Sequence, residues 1–477
     1  MKGFAAFVRK VLYAVSANLL SLVVSVLSTL IIPKFLGESV DQYGYLQIYI
    51  FYANYVGYMH FGLCDGFFLR DGGKQYEDLN RPLYSGQFWL LTAGQTLLTL
   101  LIAVGGMLFS GSPEYKFIFL ALALHNLIYL PRRTLEYLLQ TTNRVREYAI
   151  ASTVGRVLYG ISIVGIALFL TQDFRYFVMA AILSDLLPLF LLIWNCRDLL
   201  RTKPAPLRAV LPEAKTNLCV GIKLMLANIS SMLVTGIMQW GIQNKWDAST
   251  YGKVSFTLSV SNLVLAFINA VALVLYPTLR QTDGNRLSGI YNVLRNLLMV
   301  PCLGCLVLYY PLELILSAWL PQYAEGMRYM AILFPMCIYA AKTTLLVQTY
   351  LNVYRMERTT LGVNLIGVAF ATLTMVLSVF VAGDLTLAMM CIVLNQMIRC
   401  ILGEVLLARH MKLSVLKDNL CEIVMTALFI GVSWFIGGWA GEGIYLLGFA
   451  VYLLVKRHDI REALVKMKAL RGNASNA

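Results

Sequence analysis

Eight cationic side chains fall inside long apolar runs of this 477-residue chain: Arg132, Arg133, Arg156, Lys223, Arg295, Arg328, Lys342 and Arg399. A cation near the middle of a bilayer costs roughly 2.5–3.5 kcal/mol on insertion scales, so each needs a partner, a route to water or a ligand. Lys223, Arg295 and Arg328 lie within two turns of an expected helix end, where the stem lets the charged head snorkel to the interface. Arg133 points away from its neighbour Arg132 and takes the same reading. Arg132, Arg156, Lys342 and Arg399 are different. At ~1.5 Å per residue they sit roughly 12–15 Å inside their helices, near the centre of a hydrocarbon core about 30 Å thick. Acids at comparable depth are Glu136, Asp185 and Glu404. Glu136 follows Arg132 by four residues and can neutralise it on one helix face. The remaining excess of positive charge suits a ligand that brings at least two negative charges, such as a pyrophosphate. Arginine grips phosphate oxygens bidentately and lysine acts as a point charge. The competing reading is that each cation bonds a helix carbonyl or a buried acid.

A second set of residues is polar rather than charged. Asn18, Ser21, Ser25 and Thr29 fall on one narrow helical face of the first apolar run, and Asn228, Ser231, Thr235 and Gln239 repeat the spacing 210 positions later. A face of this kind has no use in lipid and is expected to line a cavity or pack on other helices. Asp185, the acid most deeply set in apolar sequence, has two readings: an H+ or Na+ coupling site, or a counter-ion for Arg156 or Arg399. Asp65 and Arg70 bracket the end of the second run and read as an inner-face gate or turn. His60 and His125 read as packing donors. Gly72-Gly73-Lys74 lacks the glycine spacing and the Ser or Thr of a phosphate loop. No HExxH is present, and Cys302 and Cys305 lie in an apolar run without a second ligand pair. No catalytic residue, metal or cofactor is expected.

The elements that must carry these residues follow from composition. The chain is 59% hydrophobic and only 13% charged, with a mean hydropathy of +0.69. Soluble domains carry about 25% charged residues, so this is an integral membrane protein. Apolar segments of spanning length fall at about 12–32, 44–64, 86–108, 116–141, 148–170, 176–195, 217–242, 253–279, 290–311, 327–352, 360–382, 385–408, 420–438 and 440–455. With both termini on the inside, 26 of the 39 basic residues fall in inner segments, 5 in outer loops and 8 within spans. That asymmetry is the positive-inside pattern. It also explains the net charge of +14 without nucleic acid. The 210-residue offset recurs in Ile128-Tyr129 with Ile338-Tyr339, Thr134-Leu135 with Thr344-Leu345, Arg132 with Lys342, and Leu69-Arg70 with Leu279-Arg280. Tyr43-Gly44 recurs as Tyr251-Gly252, two residues off register. The expected fold is therefore all-α and polytopic, with about 14 transmembrane helices. Two pseudo-symmetric six-helix lobes, 1–195 and 217–408, are joined by a basic inner linker, 196–216. Spans 13 and 14 (409–455) and a basic tail (456–477) follow.

The run Pro33-Lys34-Phe35-Leu36-Gly37, Tyr43 to Gln47, Gly62-Leu63, Asp65-Gly66, Leu69-Arg70, Gly72-Gly73 and Tyr76 resembles that of the polysaccharide flippases of the Wzx type. These belong to a superfamily with the multidrug (MATE) exporters and the lipid II flippase. The motif is local to spans 1 to 3, while length, span number and repeat resemble the family over nearly the whole chain. The resemblance implies two lobes forming a V around a cavity that opens alternately to either side. The implied cargo is an undecaprenyl-pyrophosphate-linked oligosaccharide, moved from the cytoplasmic to the periplasmic leaflet of a bacterial inner membrane for O-antigen or exopolysaccharide synthesis. The implied partners are that lipid-linked oligosaccharide, membrane lipids, H+ or Na+, and other polysaccharide-assembly proteins. The alternatives are an ion-coupled multidrug exporter and, in another class, a membrane glycosyltransferase or polymerase. The latter usually needs a large charged outer loop. The longest outer connection here, Leu312 to Gly326, carries only Glu313 and Glu325.

Overall fold

The computed structural model describes residues 20–37, 39–169, 172–280 and 284–475, with side chains described except at 264, 266–287 and 466–475. Among the described residues the chain is helical throughout, with no strand. The reason is solvent: in hydrocarbon a backbone must satisfy its own hydrogen bonds, and helices do so locally. Among the described residues nine helices are long and apolar enough to cross a membrane, or ten with one bent pair. The protein is an all-α, multi-pass membrane protein.

The helices are α1 (Leu20–Phe35), α2 (Val40–Val56), α3 (Leu63–Asp71), α4 (Arg81–Phe109), α5 (Pro113–Thr141), α6 (Val145–Phe169), α7 (Phe174–Ser184), α8 (Leu186–Asn195), α9 (Arg197–Leu200), α10 (Leu207–Lys245) and α11 (Ala248–Arg280). They continue with α12 (Gly284–Gly304), α13 (Tyr309–Trp319), α14 (Ala324–Leu333), α15 (Met336–Lys342), α16 (Thr349–Val353), α17 (Glu357–Met375), α18 (Leu385–Met411), α19 (Leu416–Phe435) and α20 (Gly438–Ser475). Several expected spans are interrupted. The second is split between α2 and α3, the sixth is interrupted for one residue at Asp185 between α7 and α8, and the tenth bends by 46° at Phe334-Pro335. The linker expected at 196–216 is largely helical, since α9 and the first turns of α10 lie in it and Pro212 sits inside α10.

The chain forms two compact units. The first holds Met1–Ile229 with Asp247–Gly252, and the second holds Ser230–Trp246 with Lys253–Ala477. Within the first, the glycines of the flippase-like motif have a packing role. A methyl group at Gly66 would lie 2.2 Å from the carbonyl oxygen of Asn217, and one at Gly221 would lie 2.0 Å from that of Gly62. Thus α3 and α10 cross backbone against backbone, which only small residues permit. Gly62 also takes φ 90°, a conformation open to glycine. The repeated Tyr-Gly pairs do the same for α2 and the start of α11. A methyl at Gly44 would lie 1.9 Å from the Ala248 oxygen, and one at Gly252 would lie 3.0 Å from the Gly44 nitrogen.

Candidate functional site

In the first unit α5 carries Arg132 at mid-helix, one residue after Pro131. Its Nε donates to Glu136 Oε1 at 3.0 Å and its Nη1 to Asp185 Oδ1. Asp185 stands between α7 and α8 with its carboxylate within reach of α5. Arg133 donates to the second oxygen of Glu136 at 3.3 Å and lies over the Tyr137 ring, 4.7 Å from its centroid. Gly155 of α6 leaves room beside Arg132, and half-buried Arg156 follows it. Asp185 is therefore a counter-ion, but for Arg132 rather than for the expected Arg156 or Arg399.

In the second unit Lys342 ends α15 with its side chain completely enclosed. Its Nζ lies 2.5 Å from Glu404 Oε2 and 2.6 Å from Glu422 Oε2, and donates to Asn419 Oδ1 at 2.7 Å. Arg295 of α12 completes the cluster, with contacts of 2.6 Å to Glu404, 2.8 Å to Glu422 and 2.9 Å to Asp418. The Tyr291 hydroxyl donates to Glu404 at 2.9 Å. Lys456 of α20 pairs with Asp418 and, at 3.0 Å, with Asp459. Three cations thus meet four carboxylates, and the network ties α12, α15 and α18 to α19 and α20. Arg295 does not snorkel as expected from its position; it is buried with three acid partners because α19 brings Asp418 and Glu422 to it.

Arg399, on α18 in the same unit, has different company. Its Nε donates to Asn364 Oδ1 at 3.0 Å, its Nη2 to Ser231 Oγ at 2.5 Å and its Nη1 to the Ser231 carbonyl at 3.4 Å. The residue is 8% exposed, and among the described residues no carboxylate pairs with it. A guanidinium held only by neutral oxygens keeps its full charge in a low-dielectric setting, where it would attract an anion strongly. Gly367 of α17 leaves space against its stem. Ser231, expected on the polar stripe, and Arg399, expected among the cations, are thus one site.

The other expected residues are placed as follows. Asn18 lies outside the described residues. Ser21 is half-buried on α1 and Ser25 exposed. Asn228 is exposed, and Thr235 is half-buried, donating to the Met232 carbonyl at 3.3 Å. Asp65 is buried, accepts from the Tyr137 hydroxyl at 3.4 Å and lies 3.9 Å from His60. Arg70 reaches α10, at 2.7 Å from Glu213 and 2.5 Å from Asn217. Asp65 and Arg70 therefore have separate partners. Arg132 and Arg156 belong to one compact unit, Lys342 and Arg399 to the other. Glu422, Asp418, Asn419 and Asn364 were not singled out in the sequence. Glu422 could have been, by applying to carboxylates the rule that marks a charge inside a span.

No protein-family model matches the chain, and no curated protein sequence does. Solved structures do. The lipid II flippase MurJ, in an inward closed conformation, is similar at a TM-score of 0.63 and 12% identity over 94% of this chain and 99% of that one. A multidrug-resistance MATE transporter in an inward-facing conformation is similar at 0.56 and 12%, over 84% and 99%. A transporter of the MOP superfamily from Pyrococcus furiosus is similar at 0.53 and 14%, over 86% and 96%. The chain has the fold of the MOP-superfamily transporters.

Proposed function

We propose that the protein is a flippase of a lipid-linked saccharide. It moves an undecaprenyl-pyrophosphate-linked oligosaccharide from the cytoplasmic to the periplasmic leaflet of the bacterial inner membrane by alternating access, with no catalytic residue of its own. The observation that carries this reading is the share of the chain with a structural counterpart: 94% in the lipid II flippase against 84% and 86% in the two other transporters, although nearly all of each neighbour is matched. That is what spans beyond a twelve-helix core would produce. The six-span lobes 1–195 and 217–408, the linker 196–216 and cytoplasmic termini belong to the same proposal.

Within it, Arg399 with Ser231 and Asn364 is the principal contact for the pyrophosphate. Arg132 and Arg156, in the first unit, are further candidate pyrophosphate contacts. Lys342, whose charge is already met by two carboxylates, is assigned to the network that holds the last two helices. Asp185 is the candidate for H+ or Na+ coupling, acting through its pair with Arg132, and Asp65 and Arg70 remain the candidate gate. Asn18, Ser21, Ser25, Asn228 and Thr235 are the candidate cavity-lining set.

The test is complementation of a cell lacking its own flippase, with surface polysaccharide as the readout and protein level measured separately. Restored polysaccharide is expected. Drug resistance conferred without polysaccharide would instead place the chain among exporters.

A further inference from the structure

At one end of the first unit, where the α3–α4 and α5–α6 connections meet the end of α8 and α9, lies a cleft of about 590 Å³. It is lined by Tyr76, Glu77, Arg81, Arg144, Glu147, Trp194, Asn195, Arg197 and Asp198. Most of its charges are engaged. Arg144 lies over the Tyr76 ring at 4.6 Å and contacts Glu147 at 3.3 Å. Asp198 accepts from the Tyr76 hydroxyl at 3.0 Å and lies 3.5 Å from Arg81. Arg197 lies over the Trp194 ring at 4.4 Å. Among the described residues neither Arg197 nor Glu77 has an ion-pair partner. The cleft thus offers one cation and one carboxylate in an otherwise balanced set of three of each.

The wall of the cleft continues into a lipid-type surface. Leu187, Phe190 and Trp194 of α8 are 45%, 63% and 65% exposed. At spacings of three and four they form one apolar stripe along the helix, ending at the cleft.

We infer that the cleft and stripe are a binding site for a zwitterionic aminophospholipid, separate from the transported cargo. An acyl chain lies along Leu187 and Phe190, the phosphate meets Arg197, and the primary ammonium meets Glu77. Balanced charge in the cleft disfavours a purely anionic headgroup. A quaternary ammonium is disfavoured for two reasons: it has no N–H to give Glu77, and the face of buried Tyr76 that would attract it is covered by Arg144.

The test uses the full chain in phosphatidylcholine nanodiscs containing a tenth of acyl-brominated phosphatidylethanolamine. The Trp194 signal is isolated as the difference between wild type and Trp194→Phe. Brominated phosphatidylethanolamine should quench that signal about threefold more than the same fraction of brominated phosphatidylcholine, the ratio that one exposed charge-assisted contact of ~0.6 kcal/mol gives. Arg197→Gln with Glu77→Gln, both exposed positions, should bring the ratio to one, and Arg197→Lys should keep most of it. Equal quenching by the two lipids in wild type would overturn the site. So would stronger quenching by brominated phosphatidylglycerol than by phosphatidylethanolamine.

Discussion

Lys342 and Arg399 are both buried cations in the second compact unit, yet they are compensated in opposite ways. Lys342 sits between Glu404 and Glu422 and shares both with Arg295. Arg399 is held by a serine hydroxyl, an amide oxygen and a carbonyl. In the first case the charge was cancelled by docking α19 onto α15 and α18. In the second no carboxylate among the described residues pairs with it. Depth in the membrane does not separate the two residues; the charge of their partners does.

The largest effect expected from breaking this contrast is at Lys342. Lys342→Met leaves Glu404 and Glu422 with Arg295 as their one remaining cation among the described residues, and removing one member of a buried ionic cluster costs about 3–5 kcal/mol. Folded protein recovered in detergent, measured by size exclusion and thermal melting, should fall sharply. Lys342→Met with Glu422→Gln should recover most of the loss. If the single variant melts like wild type, the cluster is not what holds α19 and α20.

Arg132 sharpens the comparison from the other unit, because it is paired but not enclosed. Its side chain is 12% exposed and that of Asp185 15%, and Arg133 still covers Glu136. Arg132→Gln strands only Asp185, a loss of about 1–3 kcal/mol. Asp185→Asn in the same molecule should return the melting temperature to the wild-type value. Failure of that rescue would mean that Arg132 is held by more than its acids. The smallest effect belongs to Lys253 and Glu325, whose 2.5 Å contact is open to solvent, with Glu325 82% exposed. Lys253→Ala should leave the melting temperature unchanged, as isolated surface pairs usually do. A clear drop would indicate that exposure is a poor guide to these pairs.

The all-helical, multi-span fold was legible because hydropathy is a local property of sequence. So was the Tyr-Gly repeat: two equal dipeptides at equivalent places turned out to pack on each other. The pairing of charges was not legible. Glu422 lies 80 positions from Lys342 and Ser231 lies 168 from Arg399. Neither separation has a period, since it depends on how one helix docks on another. Arg132 with Glu136 could be read, being one helical turn apart. Asp185 could not be given its partner, because Arg132 lies 53 positions away on another helix. Arg295 departs from its expected snorkelling for the same reason: its place near a helix end says nothing of the acids that α19 brings.

The most direct test of the account is the flipping rate of a fluorescent undecaprenyl-pyrophosphate saccharide in proteoliposomes made with Arg399→Gln. The account predicts a rate at least about tenfold below wild type, equivalent to ~1.4 kcal/mol. The melting temperature should be equal or higher, because an uncompensated buried charge has been removed. Wild-type flipping by Arg399→Gln, or a fall in stability like that of Lys342→Met, would contradict it.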